Sequence, residues 1–367
     1  MVHAVVTGGG TSGHVVPAIA ILEMLEEAGH PRSELRYVGS RRGIESSLMP
    51  DTGIDSVYLP ISGLQRSLSM RSVLRNLALP FRLVRCRIVA RRLIREWNPR
   101  VVVSVGGYAS EPMAAAAVAA GVPLVCVTYD RAPGLATRRQ SRRAVSCAVA
   151  FPDVDLPRAH LVGAPVRAHL RRLDVAAERA DARRRLGMAD DETVIAIVGG
   201  SLGSGVLNAA VPSLIAACSG TPRLRVHHVC GERNLSDPQP EVPAGVAYVR
   251  TGYEPDMSGL YSACDLLVAR AGASTVAEIA TVGVASVLVP WSGAAENHQE
   301  LNAHWLSDEG AAVTVSERGC ADGELARTVV LLLADPAARS GLVVNARRMG
   351  ELNRGNALVE LIENAAE

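Results

Sequence analysis

The 367-residue chain has no lysine; its 38 strongly basic side chains are all arginine. The base composition of the source genome explains that bias more simply than function does. Aromatics are also scarce, at 3% of the chain, so Ala, Val and Leu must fill the cores. No charge of either sign dominates: the net charge is +1, which argues against a general nucleic-acid binder. The seven cysteines, at 86, 126, 147, 218, 230, 264 and 320, include no CxxC pair. That spacing suggests neither a zinc site nor a disulfide framework, and an odd set of isolated thiols fits a reducing cytoplasm. No apolar run reaches 18 residues, so no membrane span is expected, and Val2–Thr7 is too short for a signal peptide. No GxGxxG turn is followed by a ribose-binding acid, which sets aside a dinucleotide-dependent oxidoreductase.

What is present reads as a soluble globular protein with enough chain for two domains, 48% hydrophobic and 20% charged. Two glycine-rich turns each follow a strand-like run and open a helix-like run. The first is Gly8-Gly9-Gly10-Thr11-Ser12-Gly13-His14, after His3–Thr7; the second is Gly199-Gly200-Ser201-Leu202-Gly203-Ser204, after Val194–Val198. Such a unit presents backbone N–H groups and a helix N-terminus to an anion, typically a phosphate.

The segments between them alternate. Short apolar runs at 35–38, 56–59, 101–104, 124–127 and 144–148 read as buried strands of the first half. Pro17–Glu27, Arg71–Glu96 (kinked or split at Pro80) and Pro112–Ala120 read as its helices. A charged helix over Asp174–Asp191 leads into a second set of strands near 194, 226, 246, 266, 286 and 312. Alternation of this kind predicts parallel sheets covered on both faces, giving an α/β fold of two doubly wound, Rossmann-like domains facing a cleft. The boundaries read as 1–163 and 164–345, with 346–367 a closing helix that packs back toward the first domain.

Five further islands lie mostly where strands end, the usual ligand edge of an open α/β sheet. They are Gly39–Glu45, Gly106–Pro112, Gly163–Arg167, Arg270–Glu278 and Glu296–Asn302. Gly9–Pro17 fits GGTxGHxxP, Gly106–Pro112 fits GGYxSxP and Gly199–Asn208 fits GGSxGxxxLN. Arg270–Glu278 fits R[SA]GAxTxxE, and Asn297–Ala303 fits NHQxxNA. In this set, in order and across nearly its whole length, the chain resembles the MurG-type glycosyltransferases, which have the GT-B fold.

The resemblance implies inverting transfer of a sugar, most simply N-acetylglucosamine, from a UDP-sugar to a lipid-linked or diphosphate-bearing acceptor such as lipid I. The UDP-sugar is a substrate, and neither a cofactor nor a metal is expected. Glu278 would bind the ribose, and Gln299 and Asn302 the sugar, with His298 beside them. Ser201, Ser274 and Thr275 would surround the diphosphate, together with the helix starting near Ala273. Arg167 would reach the phosphates from the hinge, and Glu254 is a further donor-side candidate. Thr11, Ser12 and Gly13 would close over the diphosphate from the other half. His14, Tyr108, Ser110 and Thr128 fall on the acceptor side. Negative charge grows on the leaving UDP, which helix N-termini and an arginine can stabilise without a metal. His14 suits general-base work because its ordinary pKa lies near neutrality, although it could instead hydrogen-bond a phosphate. The pair Asp153-Val154-Asp155 has the look of a metal-binding DxD, but its Pro-flanked setting reads as a solvated loop.

The chain departs from the family pattern on the acceptor side. Pro133-Gly134-Leu135 is kept, but Thr128 stands in the place of the family's glutamate and Asp130 in that of its asparagine. Ser12 and Glu111 also replace residues that are usually small or neutral. Asp130 and Glu111 thereby become alternative bases, or else solvated loop carboxylates. A paralogue that glycosylates a specialised metabolite would show this pattern. An isomerase reading, a UDP-sugar 2-epimerase, shares two Rossmann halves but lacks the GGYxSxP loop.

From Ser56 to Arg95 there is no acid but there are nine arginines, at 66, 71, 75, 82, 85, 87, 91, 92 and 95, interleaved with apolar residues. That composition predicts peripheral contact with an anionic membrane through Arg66–Arg95, each arginine contributing about 1 kcal/mol near the surface. The alternative is an ordinary core-packed helix with a solvated arginine face. The location expected is cytoplasmic, at the inner face of the cell membrane.

Overall fold

The computed structural model describes the chain apart from Met1, Arg42, residues 62–78 and Ser201, and apart from the side chains at 79, 80 and 295. Two compact units result: residues 1–168 with Gly355–Glu367, and His169–Arg354.

The first unit is built on seven parallel strands: β1 (Ala4–Thr7), β2 (Leu35–Ser40), β3 (Asp55–Leu59), β4 (Val101–Ser104), β5 (Leu124–Thr128), β6 (Ser146–Val149) and β7 (Ala159–Leu161). Their order is β3-β2-β1-β4-β5-β6-β7. β1 and β4 are buried throughout, as strands covered on both faces must be. The chain moves outward from β1 in one direction and then in the other. β1 and β4 are therefore neighbours, with Thr7 opposite Ser104, and the loops that follow them emerge side by side at the switch point.

The second unit repeats the plan with β8 (Thr193–Val198), β9 (Leu224–Val229), β10 (Ala247–Thr251), β11 (Leu266–Ala269), β12 (Ser286–Leu288) and β13 (Val313–Thr314). Their order is β10-β9-β8-β11-β12-β13, all parallel. Its switch point lies between β8 and β11, so the glycine turn after β8 and the Arg270–Thr275 loop after β11 are neighbours.

The unit boundary falls after Ala168, beyond Gly163, because the segment is held to the first unit. Arg167 Nε and the Ala168 N–H both donate to Glu23, at 2.8 and 2.9 Å. Residues 346–354 stay with the second unit. There the helix Pro336–Met349 packs on the helix Ala273–Val282. A Cβ at Gly350 would lie 2.2 Å from the Ala280 carbonyl oxygen, so only glycine permits that approach. The last helix, Ala357–Ala366, packs on β4, β5 and β6 with Leu358, Val359 and Ile362 buried.

The described part of the first unit's long helix is Leu79–Trp97, so the kink or split expected at Pro80 falls at the limit of the described residues. Residues 71–78 lie outside the described residues. The helix expected over Asp174–Asp191 is shorter, Val175–Arg185, with Asp174 as its N-cap accepting from the N–H groups of Ala176 and Ala177.

Candidate active site

In the first unit the glycine turn after β1 leads into the helix Ser12–Glu27, whose first turn has no acid and whose N-cap Thr11 makes no capping bond. The N-terminal amides there keep the anion preference of a helix start. Thr11 Oγ1 lies 3.0 Å from His14 Nδ1. The imidazole packs against the turn after β4: a Cβ on Gly107 would lie 3.3 Å from its ring, and one on Gly106 within 3.9 Å of Nε2. Burial lowers the His14 pKa, and the charges of Asp130 and Glu45 oppose that effect. The ring is thus biased toward its neutral form. In the tautomer that gives Nδ1–H to Thr11, Nε2 carries the lone pair.

Both turns need their glycines. Gly9, Gly10, Gly106 and Gly107 all have positive φ, and a Cβ on Gly10 would lie 2.6 Å from the Tyr108 ring. Tyr108 therefore walls the loop, with its hydroxyl 3.5 Å from Ser40 Oγ. Beneath the loop is a residue that sequence reasoning did not single out. Glu45 is fully buried and accepts from the Gly10 N–H and the Ser40 N–H. Its only sequence signal is its place at the end of the Gly39–Glu45 island.

Several expected residues sit elsewhere. Ser110 is completely buried, donating to the Gly107 carbonyl and accepting from Gln140, which also receives the Ser104 hydroxyl. It shapes the turn and does not face an acceptor. Glu111 is not beside His14. It pairs with Arg87 in a separate cavity of about 430 Å³ that Arg139, Arg142 and Arg143 also line. That ion pair explains the carboxylate in place of a neutral residue. Thr128 is buried, 3.5 Å from the Asp130 carbonyl oxygen. Asp130 is half-buried and close enough for its charge to act on His14. Arg167 is engaged by Glu23, well along the helix from the glycine turn. Asp153 accepts from Arg131 at 2.7 Å, a loop anchor.

In the second unit Ser201 lies outside the described residues. The helix Ala273–Val282 begins at Gly272 with no side-chain cap and no acid in its first turn. Ala273, Ser274 and Thr275 thus form an uncapped helix start suited to a phosphate. One turn on, Glu278 Oε2 accepts from the buried Tyr261 hydroxyl at 2.7 Å, which fixes the carboxylate's orientation. Asn302 is fully buried, 3.4 Å from the Ala271 carbonyl oxygen. It props the loop before that helix. Gln299 Oε1 accepts from the Trp291 N–H at 3.0 Å. His298 and Gln299 open the helix His298–Ser307 directly after Glu296 and Asn297, both left-handed at φ 53° and 55°. Backbone strain of this kind persists where the surroundings enforce it, often at ligand sites.

Glu254 is turned inward. It is buried, 3.1 Å from His227, and accepts from the Asp256 N–H. A ligand-facing role for its side chain does not fit that placement. Arg270 was noticed only as part of a motif, yet it organises the loop. It donates to the carbonyls of Val289 and Pro290 and pairs with Glu317 at 2.6 Å.

Residues 4–149 match the glycosyltransferase family 28 N-terminal domain, and residues 194–346 match the family 28 C-terminal domain. The chain is 34% identical to the UDP-N-acetylglucosamine–N-acetylmuramyl-(pentapeptide) pyrophosphoryl-undecaprenol N-acetylglucosamine transferase of Desulforudis audaxviator, over 99% of this chain and 98% of that protein. It is 35% identical to the Shewanella amazonensis transferase of the same name, over 99% and 95%. Among solved structures, MurG of Acinetobacter baumannii superposes with a TM-score of 0.75 at 28% identity, covering 99% of both chains. With the two switch-point loops and both family 28 domains in sequence order, the chain belongs to the MurG-type glycosyltransferases of family 28, with their GT-B architecture of two Rossmann-like domains.

Proposed function

We propose that the protein transfers N-acetylglucosamine, with inversion, from UDP-N-acetylglucosamine to a lipid-linked diphosphate acceptor of the lipid I type in peptidoglycan synthesis. The near full-length likeness to transferases named for that activity carries the reading. The second unit holds the donor, with Glu278 on the ribose, Gln299 and His298 toward the sugar, and the Ala273–Thr275 helix start on the diphosphate. The first unit presents His14 to the acceptor hydroxyl. As that oxygen bonds to the anomeric carbon, its proton passes to His14 Nε2. The bond to UDP breaks with its electron pair going to the diphosphate oxygen. Developing charge on that oxygen is met by oriented amides, so the step needs no metal.

The acceptor's lipid chain requires contact with a membrane. The helix Leu79–Trp97 supports this: it buries Cys86, Ala90 and Ile94 and exposes Phe81 (77%), Val84 and Ile88 beside Arg85, Arg91 and Arg92. An apolar stripe flanked by arginines fits the headgroup boundary of an anionic leaflet. No single described helix is long and apolar enough to cross a membrane.

The test is incubation with UDP-N-acetylglucosamine and a lipid I analogue, following UDP release and disaccharide formation. Turnover that persists in EDTA supports the reading. Donor binding without transfer to the lipid I analogue would overturn the acceptor assignment and point to a specialised-metabolite acceptor. A UDP-sugar epimerised without any acceptor would overturn transfer itself.

A further inference from the structure

At the edge of the first sheet opposite the glycine turn, three residues distant in sequence converge. His3 precedes β1, His30 lies in the turn after the helix Ser12–Glu27, and Glu363 is on the last helix. His3 Nε2 and His30 Nε2 approach the same oxygen, Glu363 Oε1, at 3.2 and 2.8 Å. The two rings stack at 3.6 Å between centroids, only 13° from parallel. One nitrogen or oxygen atom from each of the three residues lies within 4.8 Å of the others.

We propose that His3, His30 and Glu363 form a Zn²⁺ site that pins the C-terminal helix to the first unit. Two imidazoles and one carboxylate are a recurring zinc donor set, and a water can complete the tetrahedron. Zinc bonds of about 2.0–2.2 Å put neighbouring ligand atoms about 3.3 Å apart. The two histidine–carboxylate separations, 3.2 and 2.8 Å, are near that value. Because an ion lies in the plane of each imidazole it binds, the stacked rings must swing apart about their side-chain torsions to take it. The backbone beneath is fixed: the His3 N–H donates to Glu34 O and the His30 N–H to Leu25 O. His3 is buried, while His30 (21% exposed) and Glu363 (34%) leave a path for the ion. Glu34 Oε2, 3.9 Å from His30 Nδ1, adds negative charge on the side where metal-bound histidines often carry an outer carboxylate. Arg100 acts on His3 in the opposite sense. The metal is structural: the site is at the far end of β1 from His14 and takes no part in sugar transfer.

The experiment titrates Zn²⁺, and Co²⁺ as a spectroscopic probe, into full-length protein stripped with a chelator. One equivalent of Co²⁺ should give the intense visible bands of tetrahedral coordination. Zn²⁺ should raise Tm by several degrees at concentrations well above Kd, and Mg²⁺ should not. His30→Ala and Glu363→Gln should each abolish the bands and the Zn²⁺-dependent rise, while the stripped variants retain sugar-transfer turnover within about twofold of the stripped parent. Lack of any zinc-dependent rise in the parent overturns the proposal, as does a rise that both variants keep. His30→Cys, which restores a zinc ligand, should recover part of the shift; a merely hydrogen-bonded trio would not respond to metal at all.

Discussion

The Gly10 N–H points at both carboxylate oxygens of the buried Glu45, at 3.2 Å each. The glycine turn therefore has one face committed inward, to a carboxylate that also accepts from Ser40 at 2.7 Å. Glu45 sets the loop from which Thr11 and His14 project, and its charge acts on His14. It is a positioning residue. Glu45→Gln replaces one acceptor oxygen with a donor facing an N–H. It should destabilise the protein by about 1–3 kcal/mol and lower kcat by about tenfold or more through loop displacement. A purely structural role would leave His14 titration unchanged. Loss of the negative charge should instead move the acid limb of the pH–rate profile to lower pH, and an unmoved limb would refute the coupling.

His14 itself is tested by pH. Burial lowers its pKa from the ordinary 6.5 and outweighs the charges of Asp130 and Glu45. A base must be neutral to accept a proton, so activity should be present above its pKa and lost as pH falls through it. The acid limb of kcat/KM should therefore lie below pH 6.5. His14→Ala should lower kcat by roughly 10²–10⁴-fold while the affinity for UDP-N-acetylglucosamine, read by calorimetry, stays unchanged. Should the limb survive in that variant, another group is the base. Asp130→Asn is the next variant to measure.

The parallel sheets and the glycine turns were legible because apolar runs, helical periodicity and turn glycines are local signals. The placement of individual side chains was not. Ser110 and Glu111 sit inside the GGYxSxP motif, yet one is consumed by Gln140 and the other by Arg87. Each partner is 24 or more residues away and carries no local signal. Glu254 was expected on the donor side, but its buried partner His227 decides where it points. Arg167 illustrates the same limit, since Glu23 lies 144 residues earlier. The place of the Ala273–Thr275 helix start in the fold, with Glu278 one turn on, was legible because strand, turn and helix N-terminus are contiguous. The His3–His30–Glu363 cluster shows the opposite extreme, with no spacing for a ligand pattern to reveal.

Arg270 should behave as a scaffold for the donor loop. Its guanidinium binds two carbonyls and Glu317, and both side chains of the pair are largely buried. Burial raises the Glu317 carboxyl, but Ser292 and Arg270 outweigh it and hold the group below its ordinary value. Arg270→Ala strands that carboxylate and frees the segment whose Trp291 N–H meets Gln299. The expected cost is about 3 kcal/mol in urea unfolding, with weaker UDP-N-acetylglucosamine binding. Arg270→Lys keeps the charge without the planar fork, so it should recover only part of each loss. Wild-type donor affinity in Arg270→Ala would show that the loop holds its shape without the arginine.

Acid stability should report on His228. His228 lies on β9 with its ring buried, Nδ1 2.9 Å from the hydroxyl of Tyr248 on β10 and Nε2 3.0 Å from Oδ1 of Asn208 on the helix Gly205–Cys218. Burial first, then the charges of Arg250 and His227, push its pKa down to about 4. The unfolded chain, with an ordinary value near 6.5, binds the proton more readily. The stabilisation is therefore complete above about pH 6.5 and is lost as pH falls toward 4. The full difference corresponds to about 3 kcal/mol. Urea unfolding of the second unit between pH 7 and pH 4 should show stability falling across that window. His228→Leu leaves Tyr248 and Asn208 without their partner, so it should be less stable at pH 7. With no ring to protonate, its decline toward pH 4 should be shallower than that of the parent. Parallel declines in the two proteins would assign the acid sensitivity to other groups, with the buried, hydrogen-bonded His227–Glu254 pair the first to examine.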